Sequence, residues 1–203
     1  QPMGFYSPHS LIHDGKRHGI EVLPVDIQNS RWDNLLVSRH QVRLGYRQIR
    51  GMKMRVGEAL EAARTRGGPF VSFEDFLERL LAELPLNTLT KRDLFLLAGA
   101  NAFDCLGLER RTAFWKIQAL CLTDSDLFSA PTEAVALKKE TNWEKISADH
   151  EAQGVSLHAH PLALFRAELI KLRVLSSQDL AAQAERRLVQ VAGLVICRQM
   201  PPT

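Results

Sequence analysis

The sequence predicts an α+β protein that is mostly α, with a small three-stranded sheet near its start, paired helices in its middle and one more strand near its end. Three observations lead there. Apolar side chains recur at helical spacing in separate runs between residues 54 and 122. Short β-rich runs at 20–27, 35–37 and 42–45 precede them. A strongly apolar, β-branched run occupies 187–198. With 203 residues, 45% hydrophobic and 24% charged, the chain is long enough for one large domain or two small ones with a packed core.

Residues 8–19 read as the first helix, with Pro8 suited to its first turn and Gly19 to its stop. His9 and His13 lie one turn apart on it, a spacing that suits a metal. No further ligand cluster accompanies them, and a solvated helix face accounts for both. The strand at 20–27 is ended or edged by Pro24. With the two short strands after it, it makes a sheet too small to be stable without a helix against it.

Residues 54–66 are helical, with Val56, Leu60 and Ala63 on one face, and Gly67, Gly68 and Pro69 end the helix. Ser72 caps a second helix, which carries Glu74 and Asp75 in its first turn and Phe73, Phe76, Leu77, Leu80 and Leu81 on its apolar side. Thr90 caps a third, which ends at Gly99, and a further helix spans 108–122. Residues 123–143 have no clear period and read as a linker or surface loop. Short helices are expected at 143–150, from His160 with Pro161 at its first position, and at 179–184. The run at 187–198 is the strongest strand in the chain, and a lone strand this apolar needs partners.

Charge singles out one stretch. Residues 39–66 hold eight arginines and lysines against two glutamates, a formal charge of +6, while the whole chain has 26 basic and 23 acidic residues. The remainder is therefore net negative. In the middle of the basic stretch, Ile49, Arg50, Gly51 and Met52 form a tight glycine turn ahead of an amphipathic helix. A glycine turn that offers backbone N–H groups before a helix is an anion-binding device.

The expected contacts follow. Amides around Gly51, Met52 and Lys53 meet one phosphate, Lys53 and Arg55 flank it, and Arg47 and Arg50 reach its neighbours. A second turn at Gly99, Ala100 and Asn101, with Lys91 and Arg92 nearby, repeats the arrangement on the other strand. It is the weaker of the two, being less basic and having Asp104 beside it. Helix, glycine turn and helix make a helix-hairpin-helix arrangement, and its expected partner is double-stranded DNA, held without reading of its sequence.

No apolar run approaches the roughly 20 residues needed to span a membrane, so no membrane partner is expected. The three cysteines, Cys105, Cys121 and Cys197, form no CxxC pair and read as buried thiols in a reducing cytoplasm. Asp124 and Asp126 have a D-x-D spacing but lie in a polar stretch rather than on a strand. No metal site and no catalytic residue is assigned. Both ends of the sequence read as cuts through a longer protein.

Several pieces, taken in order, resemble the C-family bacterial DNA polymerases, the α subunit of polymerase III and its error-prone paralogue. Pro2-Met3-Gly4-Phe5-Tyr6-Ser7-Pro8, then Asp14-Gly15-Lys16-Arg17-His18-Gly19, then Pro24-Val25-Asp26-Ile27-Gln28-Asn29-Ser30 with Trp32 resemble the end of their fingers domain. Leu44-Gly45-Tyr46-Arg47-Gln48-Ile49-Arg50-Gly51, Gly67-Gly68-Pro69-Phe70 and Ala102-Phe103-Asp104 are similar to their tandem helix-hairpin-helix domain. Gly154-Val155-Ser156-Leu157-His158-Ala159-His160-Pro161 and Val191-Ala192-Gly193-Leu194-Val195 resemble the approach to their OB fold and its first strand. Gly107-Leu108-Glu109-Arg110-Arg111 with Phe114-Trp115, and Gly154-Val155-Ser156-Leu157, lean toward the error-prone paralogue.

The resemblance implies four parts. Residues 1–44 end the fingers with the small sheet, 45–122 are the tandem helix-hairpin-helix domain, 123–153 are a linker, and 154–203 begin an incomplete OB fold. It also implies a parent DNA-directed DNA polymerase of damage-induced mutagenesis and translesion synthesis. Its Mg²⁺-binding aspartates would lie N-terminal to this piece, which itself has no candidate for them and needs no cofactor. Asp124-Ser125-Asp126-Leu127-Phe128 is similar to the peptide with which such subunits grip a sliding clamp, with Leu127 and Phe128 as anchors and Asp124 in place of the usual Gln. The bland alternative is a loop whose Leu and Phe fold back on the helices. A second function remains open beside DNA binding: a protein-interaction module that docks a sliding clamp or an accessory polymerase subunit.

Overall fold

The computed structural model describes residues 6–85, 88–120 and 137–195. The chain divides into two compact units, Gln1–Leu157 and His158–Thr203.

Helix α1 (Pro8–Arg17) starts where the Ser7 hydroxyl accepts from the Ser10 amide at 3.2 Å, with Pro8 in its first turn. Three strands follow: β1 (Glu21–Leu23), β2 (Leu35–Ser38) and β3 (Gln41–Arg43). Their order is β1-β3-β2, with β3 parallel to β1 and antiparallel to β2. Val22 and Leu36 both register against Val42. The first strand is shorter than the expected 20–27. Beyond Pro24, Asp26 Oδ1 accepts from the Gln28 and Asn29 amides at 2.7 and 2.6 Å and turns the chain. Val25 and Ile27 drop from that turn into the core.

Helices α2 (Met54–Gly67), α3 (Phe73–Glu83), α4 (Lys91–Gly99) and α5 (Arg110–Ala119) form the body of the first unit. Ser72 and Thr90 cap α3 and α4 as the sequence predicts, and Asp93 returns a bond to Thr90 to complete a capping box. Phe70, Phe73, Phe76 and Phe103 meet at the centre, with edge-on pairs 5.0–5.4 Å apart. The expected boundary at 44/45 separates no two bodies. Val25, Ile27, Leu44, Tyr46 and Ile49 lie in the same buried cluster as Leu60, Phe76, Leu94 and Ile117. Glu61 of α2 also accepts from the Trp32 amide at 2.7 Å, which ties the loop beside the sheet to the helices.

The stretch expected as a linker, 123–153, ends in a helix where a short one is expected at 143–150: α6 (Asn142–Gln153) is longer, is capped by Thr141 and packs on α4. Its apolar period is faint because two of its three buried side chains, Asp149 and Gln153, are polar. Those two find partners within the fold rather than an apolar face.

The second unit holds a short 3₁₀ turn (Pro161–Ala163), α7 (Arg166–Lys171), β4 (Val174–Leu175), α8 (Ser177–Ala181) and β5 (Gln190–Val191). The helix expected from His160 is thus a 3₁₀ turn followed by a separate helix. The strand expected at 187–198 is cut to the two residues of β5, which pair in parallel with β4. Among the described residues of the run, only these two have a partner strand, itself two residues long, and Leu188 is fully exposed. Residues 196–198 of that run lie outside the described residues. Cys105 is exposed rather than buried. Cys121 and Cys197 also lie outside the described residues.

Candidate nucleic-acid interface

The first glycine turn is closed by the Met52 amide, which donates to the Ile49 carbonyl at 3.1 Å. Gly51 takes φ +80° at the third position, where a side chain is disfavoured. Gly51 faces solvent, while Met52 and Ile49 on either side are buried. Helix α2 begins two residues later with Lys53 at the N-cap, and no side chain caps it. Its first amides and the positive end of its dipole are therefore presented beside an exposed turn. Helix α4 brings a guanidinium there. A Cβ on Gly51 would lie 3.9 Å from Arg92 Nη2 and 3.8 Å from Leu96 Cδ1. An uncapped helix end, a glycine without a side chain and a nearby cation can together receive an anion.

Most of the basic stretch is not at this turn. Arg43 pairs with Asp26, Arg47 with Asp33 at 2.5 Å, and Arg66 with Glu83 at 2.5 Å. Arg64 donates to the carbonyls of Ile27 and Ser30 at 3.2 and 2.5 Å. Arg55 reaches the Thr88 carbonyl at 3.5 Å. Lys53 lies 2.9 Å from the fully buried Asp93. Burial pushes the Asp93 carboxyl up, but hydrogen bonds from Thr90 and Lys53 outweigh it and hold the group below its usual range. Arg50 and Arg92 remain beside the turn. Arg50 donates only to a carbonyl, that of Glu151 at 3.4 Å, and among the described residues neither has an acidic partner.

The second turn differs. Its left-handed residue is Asn101, φ +56°, and not Gly99. The Ala100 amide donates to Leu96, that of Asn101 to Ala98 and that of Ala102 to Leu97, so these amides end α4. Ala100 is buried, and its carbonyl accepts from Gln153 Nε2 at 3.4 Å. Lys91 donates to the Gln118 carbonyl at 2.8 Å. In the first turn of α5, Arg110 and Arg111 pair with Asp149 and Glu144 at 2.5 and 2.8 Å. Of the expected site residues, the fold brings Arg50, Gly51, Met52, Lys53 and Arg92 together. It gives Arg47, Arg55, Lys91, Gly99, Ala100 and Asn101 other partners or other surroundings. Leu127 and Phe128 lie outside the described residues.

A family model described as a helix-hairpin-helix motif matches residues 19–113, from just before β1 into α5. The whole chain also aligns with bacterial proteins named error-prone DNA polymerase. It is 42% identical to that of Azoarcus sp. (strain BH72), 36% to that of Dechloromonas aromatica (strain RCB) and 39% to that of Burkholderia pseudomallei (strain K96243). In each case 100% of this chain and 19% of the relative are covered. Along its whole length the chain is therefore similar to one portion of these error-prone DNA polymerases.

It spans about a fifth of the length of the curated relatives that it matches. The motif match takes in the sheet and the segments that follow its strands as well as the helices, and those segments share the helices' core. Helix α6 lies beyond the matched range, yet its last carbonyls contact the first turn. The Ala152 carbonyl accepts from the Arg50 amide at 2.8 Å, and that of Gln153 from Gln48 Nε2 at 3.0 Å. Sequence reasoning missed these residues, since a backbone acceptor carries no side-chain signal. Gly154, left-handed at φ +73°, ends α6. Among the described residues, no group of three or more His, Cys, Asp or Glu side chains is arranged to hold a metal ion. None of the described helices is long and apolar enough to cross a membrane.

Proposed function

We propose that this segment holds double-stranded DNA by its phosphates, without reading sequence, within a longer error-prone DNA-directed DNA polymerase. The observation that carries the reading is the exposed Gly51 turn set against the uncapped start of α2, with Arg50 and Arg92 beside it. Contacts of this kind position a duplex and are blind to its bases. The relatives' name supports a polymerase as the parent. Its metal-dependent nucleotidyl transfer and its part in translesion synthesis belong, on this reading, to the portions beyond this segment. Titration of a fluorescent duplex tests it. Arg92→Ala should weaken binding by about tenfold, as loss of a charge-assisted hydrogen bond does. Wild-type affinity in both Arg92→Ala and Gly51→Ala would count against it.

A second reading has its own support. A groove of about 690 Å³ is lined by Phe95, Arg111, Phe114, Trp115, Gln118 and Leu137. Phe95 stacks on Phe114 at 5.4 Å, and Trp115 is half exposed. Such an aromatic surface suits a protein partner such as a sliding clamp or an accessory subunit. A pull-down with the clamp, comparing Trp115→Ala with Leu127→Ala and Phe128→Ala, separates the groove from the peptide as the contact.

A further inference from the structure

We infer that the C-terminal end of α6 is the platform that presets the Gly51 turn, with Gln48 and Gly154 as positioning residues; this rests on the reading of that turn as a phosphate site.

Three consecutive carbonyls at the end of α6 meet one short piece of chain. Glu151 accepts from the Arg50 guanidinium at 3.4 Å, Ala152 from the Arg50 amide at 2.8 Å, and Gln153 from the Gln48 side chain at 3.0 Å. The last carbonyls of a helix carry partial negative charge and lack partners within it. Here the residues just before Gly51 supply those partners, so the turn and one of its cations are held by the same helix end. Gly154 completes the arrangement. It takes φ +73°, and a Cβ on it would sit 2.9 Å from Arg50 Nη2. The guanidinium therefore occupies the space that any side chain at 154 would fill.

The platform is itself anchored. Asp149 pairs with the buried Arg110 at 2.5 Å and accepts from the Ser156 hydroxyl at 2.8 Å, and Glu144 pairs with Arg111. Helix α6 is thus tied to α5 through Glu144 in its first turn and Asp149 near its last, while its final carbonyls hold the turn. A phosphate contact made by backbone amides depends on where the backbone is fixed beforehand, so rigid support of the turn supports affinity.

The test uses the whole chain and a fluorescent duplex over a salt series, with thermal melts of each variant. Gly154→Ala and Gln48→Ala should each bind about three- to tenfold more weakly at every salt concentration, the size expected for one misplaced hydrogen bond. Their slope of log K against log salt should match the wild type, because the same phosphates are neutralised. Tyr46→Phe, which removes a buried hydroxyl away from the turn, is the control: it should lower the melting temperature and leave affinity unchanged. Wild-type affinity in both Gly154→Ala and Gln48→Ala, with Arg92→Ala still weakened, would overturn the inference and leave the DNA reading standing. Absence of duplex binding by the wild-type chain would remove both.

Discussion

Lys53 shows how a residue's role depends on its partner. It stands at the N-cap of α2, in the most basic stretch of the chain, yet its ammonium lies against Asp93 on α4. Lys53→Ala should therefore cost stability, about 1–2 kcal/mol for a buried carboxylate left short of a donor, and reduce duplex binding less than Arg92→Ala does. Urea melts and titrations on the same two variants check this. Asp93 also sets a pH dependence. Its folded pKa lies below the unfolded value of 3.8, so its contribution is complete above that value and is lost as pH falls through the folded pKa. Stability measured between about pH 6 and pH 3 should drop at the acid end, and Asp93→Asn should flatten that drop. The clustering of basic residues at 39–66 was legible in the sequence. Their neutralisation was not, because Asp26, Asp33, Glu83 and Asp93 come from outside the stretch and meet it only in the fold.

At the level of elements, the helices that bury apolar faces were the readable ones. Ser72 and Thr90 announced α3 and α4 through their hydroxyls, and the phenylalanines of α3 marked its inner side. Helix α6 was expected only as a short helix at 143–150, because its inward face carries Asp149 and Gln153 as well as Ile146. The pair between Arg110 and Asp149 is nearly excluded from water, at 5% and 7% exposure. Asp149→Ala would leave the buried guanidinium only the longer pair with Glu140 at 3.4 Å and should cost about 3 kcal/mol, measurable by chemical unfolding. The second glycine turn was misread for a related reason. A glycine after a helix signals a stop, and whether its amides face solvent depends on what packs above. Here they close α4, and Gln153 of α6 covers Ala100. The two turns that look alike in sequence are therefore unequal: one open, one closed.

Across the whole molecule, the class, the small sheet and the order of the helices in the first unit followed from periodicity and caps. The merging of sheet and helices into one core did not, since only packing reveals that Ile27, Tyr46 and Ile49 share neighbours with Phe76 and Leu94. The apolar run near the end overstated its strand, because β-propensity becomes a strand only where a partner edge exists. The likeness to error-prone DNA polymerases runs along the full chain, and the proposed DNA-binding role rests on one exposed turn. The salt dependence of duplex binding tests that role most directly. The wild-type chain should lose affinity linearly on a log–log plot against salt, and removal of both Arg50 and Arg92 should lower the slope by about 2, one unit for each phosphate that is no longer neutralised. A slope unaffected by the double substitution, or binding indifferent to salt, would contradict the account.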